Sequence, residues 1–245
     1  MPGSVIESLF WGFVASLPLI VGALFALFFT VSRSVVATIM AFGSGVLVAA
    51  LSFSLVEEAF KLTNDVFPVI IGFVFGGISY TTANYLLNRK SSGKTKGNNK
   101  PEGEGLTLLI GSVMDNIPEN IVLGISFVTG GTVSIVLIAA IFISNFPEGL
   151  ASSHAMRSSG KRRRYVIIVW IIAVIIGTTS AGLGYSFLYR SSPAIIGTTT
   201  SFAAGAILAM LAESMIPAAF AQGGSKIGLA TVIGFAAAFT LGTLR

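Results

Sequence analysis

The sequence predicts an all-α polytopic membrane protein with eight transmembrane helices. Its 245 residues are 53% hydrophobic and 10% charged, with a mean hydropathy of +0.87, whereas a soluble domain carries about 25% charged residues. A helix needs about 20 apolar residues to cross a bilayer, and we count eight runs of that length. An even number of spans places both termini on the same side of the membrane.

We expect the whole chain, 1–245, to form a single transmembrane domain. A polar segment at 89–105, rich in Ser, Gly, Asn and Lys, has the composition of a flexible linker. The predicted spans are 5–29, 35–60, 66–87, 106–127, 132–156, 165–188, 194–220 and 227–244.

The basic residues set the predicted orientation. Twelve of the 15 Lys and Arg residues lie in the loops after spans one, three, five and seven, and the others are Lys61, Arg190 and Arg245. The positive-inside rule then puts the twelve in the cytoplasm and both termini outside, in a multi-pass protein of the cell membrane. Because the basic residues lie in short loops between apolar runs, we expect this chain to have the lipid bilayer, and not a nucleic acid, as its partner. The absence of Cys excludes thiolate sites, and a single His excludes a His cluster.

The sequence also contains an apparent internal repeat. Segment 42–60 aligns with 202–220 without a gap, and seven of the aligned pairs are identical. Spans two and seven run in opposite directions, so the repeat would be inverted, as in many secondary transporters. It predicts a 3+2+3 arrangement with spans four and five in the centre. Chance similarity between two helices rich in Ala and Gly is the alternative.

Two similar motifs lie in the middle of spans four and five. They read Asp115-Asn-Ile-Pro-Glu119 and Ser144-Asn-Phe-Pro-Glu148. Between residues 106 and 156 there are three carboxylates and no Lys or Arg. Ionisable groups at membrane depth cost about 2.5–3.5 kcal/mol each to insert, and they are candidates for function by default. Without a basic partner, these acids need protons or a cation from outside the chain.

Helical spacing suggests that the two motifs form one site. Residues four apart share a helix face, so Asp115 stacks on Glu119, and Ser144 stacks on Glu148. Pro118 and Pro147 cannot donate a backbone hydrogen bond, which frees a carbonyl near each acid. An ordinary pair of proline kinks with protonated acids is the alternative. The residues of this candidate cation site are Asp115, Asn116, Glu119, Ser144, Asn145 and Glu148.

These motifs resemble those of the ZIP (Zrt/Irt-like) family of divalent metal transporters. The family pattern is approximately His-Asn-x-Pro-Glu-Gly on span four and His/Gln-Asn/Asp-x-Pro-Glu-Gly on span five. The run from Asn145 to Ala151 is most similar to the GufA-like bacterial branch. The resemblance covers the whole chain and implies eight spans, external termini and transport of a metal such as zinc toward the cytoplasm. The metal would be cargo, and no separate cofactor is expected.

This chain departs from the family pattern at three positions. Asp115 replaces the family's His, Ser144 replaces its His or Gln, and Asn120 replaces the Gly after the first Glu. The resulting ligand set contains only oxygen. Zn²⁺ favours His and Cys, although it also binds carboxylates, whereas oxygen ligands suit hard cations such as Mn²⁺. Manganese and iron are therefore alternatives to zinc.

Four more residues are candidates for a transport pathway. Glu213 lies on span seven as an exit ligand or proton acceptor, His154 lies about 9 Å from Glu148 toward the cytoplasm, and Glu57 and Glu58 end span two at the outer mouth. Each also has a simpler explanation. Glu213 would be a partnered structural acid, His154 an interfacial side chain, and Glu57 and Glu58 acids at a helix end.

Other classes of function fit the sequence less well. An intramembrane hydrolase built from Ser152, Ser153 and His154 would need neighbouring residues on one helix to face each other, which they do not. We therefore expect no enzymatic activity. The alternative to a transporter is a ZIP-like membrane protein with an altered substrate, or one with a metal-sensing or structural role. A homodimer is left open.

Overall fold

The computed structural model describes residues 4–93, 104–128 and 135–243. Within these ranges the chain forms eight long helices and no strand, so the prediction of an all-α protein is confirmed. The helices are α1 (Val5–Phe28), α2 (Arg33–Thr63), α3 (Val66–Gly93), α4 (Glu104–Ser126), α5 (Ile135–Ser158), α6 (Arg163–Leu188), α7 (Pro193–Gly223) and α8 (Lys226–Thr243).

Six of these helices, within the described residues, are long and apolar enough to cross a membrane: α1, α2, α3, α6, α7 and α8. The two others, α4 and α5, carry the motifs. The outer faces of the six apolar helices match a membrane environment, since large apolar side chains such as Phe67 on α3 and Phe187 on α6 are exposed. In water such a surface would be unusual for a monomer.

The predicted linker begins later than expected. Helix α3 continues to Gly93, so residues 89–93 are helical rather than linker. The physical reason is that no Gly or Pro interrupts the chain between Gly77 and Gly93, and polar side chains alone do not end a helix. Helix α4 begins at Glu104, inside the predicted linker. The remaining part of the predicted linker, 94–103, lies outside the described residues.

Short polar caps and turns separate the helices. Ser4, Ser32 and Ser192 each accept a hydrogen bond from a backbone N–H in the first turn of α1, α2 and α7. A side-chain oxygen at this position satisfies one of the unpaired donors at a helix start. Between α2 and α3, Asn64 adopts a left-handed conformation, which Asn tolerates better than most residues.

The helices pack in pairs that are far apart in sequence. Helix α1 packs against α5 and α6, α4 against α6, α2 against α8, and α3 against α7. Glycines permit the closest approaches, because a Cβ atom at Gly234 on α8 would collide with the Phe42 carbonyl on α2. The same collision would occur between Gly76 on α3 and the Phe202 carbonyl on α7. Small residues allow this kind of packing between membrane helices.

Helices α2 and α7 share a local irregularity. Each contains a π-helical stretch, Leu51–Val56 in α2 and Leu211–Met215 in α7. Leu51 and Leu211 are aligned in the sequence repeat, so both stretches begin at the same repeat position. Insertions of this type are rare and occur frequently at functional sites. The stretch in α7 carries Glu213, one of the predicted pathway residues.

Candidate functional site

The motif side chains are buried inside the bundle. Asp115 is 6% exposed, Glu119 is 2% exposed, and Asn116, Ser144 and Asn145 are also buried. Glu148 is half-buried. Glu119 interacts electrostatically with both Glu148 and Asp115, so the three acids of α4 and α5 lie near one another.

These acids do not form a compact metal cluster on their own. Within the described ranges, no three His, Cys, Asp or Glu side chains are grouped closely enough to hold a metal ion. A cation here would therefore need amide, hydroxyl or water oxygens beside the carboxylates.

The two motif asparagines tie the central helices to their neighbours. Asn116 Nδ2 on α4 donates to the Ala173 carbonyl on α6 at 3.0 Å. Asn145 Nδ2 on α5 donates to the Ala15 carbonyl on α1 at 2.8 Å. Hydrogen bonds between membrane helices contribute about 0.6 kcal/mol on average. Asn116 thus ties α4 to α6, and Asn145 ties α5 to α1.

The two asparagines differ in what their oxygens do. Asn116 Oδ1 accepts from Ser16 Oγ at 3.3 Å and from Asn120 Nδ2 at 2.6 Å, whereas Asn145 Oδ1 is buried and has no hydrogen-bond partner among the described residues. A buried acceptor without a partner costs roughly 1–3 kcal/mol, and a cation would remove that cost. Of the two predicted amide ligands, Asn145 therefore has the available oxygen, and Asn116 is engaged within the protein.

Sequence reasoning missed Asn120 and Ser16 as parts of this network. Asn120 also donates to Ser16 Oγ at 3.2 Å, and both side chains are buried. The signal for Asn120 was its spacing of four from Asn116 on one helix face. No sequence signal connects Ser16 to them, because it lies on α1, about 100 residues earlier.

Glu119 and Ser144 complete the buried part of the site. Glu119 Oε2 is buried and meets no hydrogen-bond partner in the part of the chain that the structure describes, which leaves it available to a cation. The Ser144 hydroxyl donates its hydrogen to the Ile141 carbonyl at 2.9 Å, which does not use the oxygen lone pairs through which a hydroxyl binds a cation.

Asp115 is held by two helices that carry no motif. Tyr80 on α3 donates its hydroxyl to Asp115 Oδ1 at 2.6 Å, and Ser214 on α7 also hydrogen-bonds to this carboxylate. Tyr80 was not among the predicted site residues. A sequence signal existed, since the polar side chains at 80, 81 and 84 lie at helical spacing in an apolar span.

Glu213 lies beside a cavity that also reaches the buried acids. It accepts hydrogen bonds from Thr81 Oγ1 and from Asn84 Nδ2 on α3, the latter at 2.7 Å. The cavity has a volume of about 410 Å³. Its described lining contains three acids and no Lys, Arg or His: Met40, Asn84, Gly111, Asp115, Glu148, Ala151, Ser152, Ala155, Glu213, Ser214, Met215, Ala218 and Gln222.

The other predicted pathway residues lie elsewhere. His154 lines a neighbouring cavity of about 420 Å³ together with Arg33, and the two cavities share Ala151, Ala155 and Gln222. Glu57 pairs with Lys61 at 2.6 Å on the surface. Neither Glu57 nor Glu58 lines the described part of the cavity that holds Asp115, Glu148 and Glu213.

Ser153 and His154, which an intramembrane hydrolase would need to bring together, lie in different environments. Ser153 is buried and its hydroxyl oxygen accepts a hydrogen bond from Trp170 Nε1 at 2.6 Å, whereas His154 is exposed. The two side chains thus point into different environments, as expected for adjacent positions on a helix.

In comparisons with known proteins, no protein-family model and no curated protein matches this chain.

Proposed function

We propose that this protein transports divalent metal cations across the cell membrane toward the cytoplasm. The observation that carries the proposal is the cavity whose described lining includes Asp115, Glu148 and Glu213 and no cationic side chain. Acidic groups inside membrane proteins commonly mark ion pathways, and carboxylate and amide oxygens are ligands for divalent cations. Zinc is the proposed cargo because the motifs resemble those of the ZIP family. Manganese and iron are alternatives because all the proposed ligands bind through oxygen.

The binding site in this proposal lies between α4 and α5. Glu119 Oε2 and Asn145 Oδ1 are buried acceptors without partners within the described ranges, and Glu119 interacts electrostatically with Glu148 and Asp115. A divalent cation would offset the repulsion among these acids and supply the missing partners at once. Water completes the coordination, since the cavity reaches Asp115 and Glu148.

The 3+2+3 arrangement is supported by symmetry in the helix contacts. In the repeat, α2 aligns with α7, so the pair α2–α8 corresponds to the pair α7–α3. Phe42 and Phe202 are aligned, and the carbonyl of each faces a glycine, Gly234 on α8 and Gly76 on α3. An inverted repeat predicts this kind of matching contact with different partner helices. The π-helical stretches at equivalent positions add further support.

The inward direction depends on the topology proposed from loop charge. Both termini would be outside, and α4 and α5 would cross the membrane with the other six helices. Single cysteines introduced at Ser4 and at Lys96 test this, because the chain has no native Cys. A membrane-impermeant reagent should label position 4 in intact cells, and position 96 only after permeabilisation. The reverse pattern would contradict the topology and the direction of transport.

The function itself is tested by uptake into proteoliposomes. We expect the purified protein to accumulate Zn²⁺, and excess Mn²⁺, Fe²⁺ or Cd²⁺ to compete more strongly than Mg²⁺. The physical reason is that Mg²⁺ gives up its water reluctantly. Protein-free liposomes are the control. Metal binding without uptake would instead support the sensing or structural role.

A further inference from the structure

The cavity that contains Arg33 and His154 differs in charge from the acidic cavity beside it. It lies where α1 ends, α2 begins and α5 ends, and its volume is about 420 Å³. Its described lining contains donor side chains such as Arg33, His154 and Ser158, and no Asp or Glu. Within the described ranges, Arg33 forms no ion pair. This space, which we call the polar cavity, therefore offers positive charge and hydrogen-bond donors to an anion.

The polar cavity continues into a pocket whose described lining is entirely apolar. This apolar pocket has a volume of about 220 Å³ and lies between α1, α2 and α5. The two spaces are continuous, because both are lined by Val31, Val36 and Leu150. Phe25 of the apolar pocket also packs against Phe29 of the polar cavity, with ring centroids 5.0 Å apart. Together the two spaces form one amphipathic surface, charged at one end and apolar at the other.

This amphipathic surface can be reached from outside the bundle. Phe29 is 61% exposed and Val35 is 49% exposed, and Arg33 and His154 are exposed as well. A molecule in the bilayer can therefore contact both ends without entering the core. Under the proposed topology, the charged end faces the cytoplasm. The cytoplasmic leaflet carries anionic lipids, and basic pockets between membrane helices on that side bind their head groups.

We propose that the polar cavity and the apolar pocket together bind one anionic phospholipid. The lipid phosphate lies against the Arg33 guanidinium, whose planar set of N–H donors matches phosphate oxygens, and His154 and Ser158 supply further donors. One acyl chain lies in the apolar pocket between Phe25 and Val35. Because lipid tails are as apolar as these side chains, only van der Waals packing favours the tail there. The head group therefore decides which lipid binds.

The first test concerns the head group. Dissociation constants of phosphatidylglycerol and of phosphatidylcholine with the same acyl chains are measured by native mass spectrometry on the purified chain in detergent. We expect Arg33→Gln to weaken phosphatidylglycerol binding about tenfold, equivalent to 1.4 kcal/mol, and to change phosphatidylcholine binding little. Arg190→Gln is the matched control, because Arg190 is exposed in the turn between α6 and α7, at the opposite end of the bundle. It should bind both lipids as the wild type does.

The second test concerns the tail. Val35 lines the apolar pocket and is half-exposed, so Val35→Trp fills the pocket without disturbing the core. We expect this variant to bind phosphatidylglycerol roughly fivefold more weakly, because the acyl chain loses its van der Waals contacts. Val232→Trp is the matched control, since Val232 is 62% exposed on α8 and lines neither space. Both variants should keep the wild-type Tm.

A free anion is distinguished from a lipid by competition. Excess inorganic phosphate should not displace phosphatidylglycerol, because it has no tail to occupy the apolar pocket. Displacement by phosphate together with unchanged binding in Val35→Trp would show a site for a free anion and overturn the lipid site. Equal affinity of the wild type for the two lipids, or unchanged phosphatidylglycerol binding in Arg33→Gln, would also overturn it. Weaker binding in both Arg33→Gln and Val35→Trp, with neither control affected, supports it.

Discussion

Replacing Glu119 or Glu148 with glutamine is expected to lower metal uptake by about 100-fold or more. Loss of a partner outside the ligand shell costs about 10–100-fold in metal affinity or activity, and these side chains would contact the metal itself. Glutamine keeps the shape of the side chain but removes the charge. The measurement is initial Zn²⁺ uptake into proteoliposomes that contain equal amounts of inserted protein.

The protein should remain folded in these variants. Glu119 interacts electrostatically with Glu148 and Asp115, so removing one negative charge relieves repulsion among the three acids. Glu7→Gln is the matched control, because Glu7 is an exposed acid at the start of α1. If the double variant of Glu119 and Glu148 transports metal at the wild-type rate, the proposed site is wrong.

Alanine at Gly234 is expected to destabilise the bundle. The added Cβ atom would collide with the Phe42 carbonyl on α2, and a backbone group cannot move aside as a side chain can. Overpacking of this kind typically costs about 1–3 kcal/mol, which lowers the Tm by several degrees for a chain of this size. The Tm is measured by heating the protein in detergent and determining by size-exclusion chromatography how much folded protein remains at each temperature.

The same helix provides the control for this prediction. A Cβ atom at Gly228 would meet nothing within 4 Å, and alanine is a better helix former than glycine by about 1 kcal/mol. Gly228→Ala should therefore leave the Tm unchanged or raise it slightly. Gly76→Ala should match Gly234→Ala, since its Cβ would collide with the Phe202 carbonyl. Equal stability of Gly234→Ala and Gly228→Ala would contradict the close packing of α2 and α8.

The helices and the burial of the motifs could be predicted because their signals are local. A run of about 20 apolar residues needs a helix to satisfy its backbone in a membrane, so the helix positions follow from the sequence to within a few residues at most ends. The same reasoning places Asp115, Glu119 and Asn145 inside the protein, as the structure has them. The end of α3 was less predictable, because a polar sequence supports helix and coil alike.

The roles of individual side chains required the tertiary structure. Tyr80 meets Asp115 across 35 residues of sequence, and Glu213 meets Asn84 across 129. Helical periodicity predicts which residues share a helix face, but it does not predict which neighbouring helix that face contacts. That choice depends on close packing at positions such as Gly234 and Gly76. The sequence by itself therefore determined an all-helical chain with buried acids, whereas helix packing decided which partners Asn116, Asn145 and Tyr80 contact.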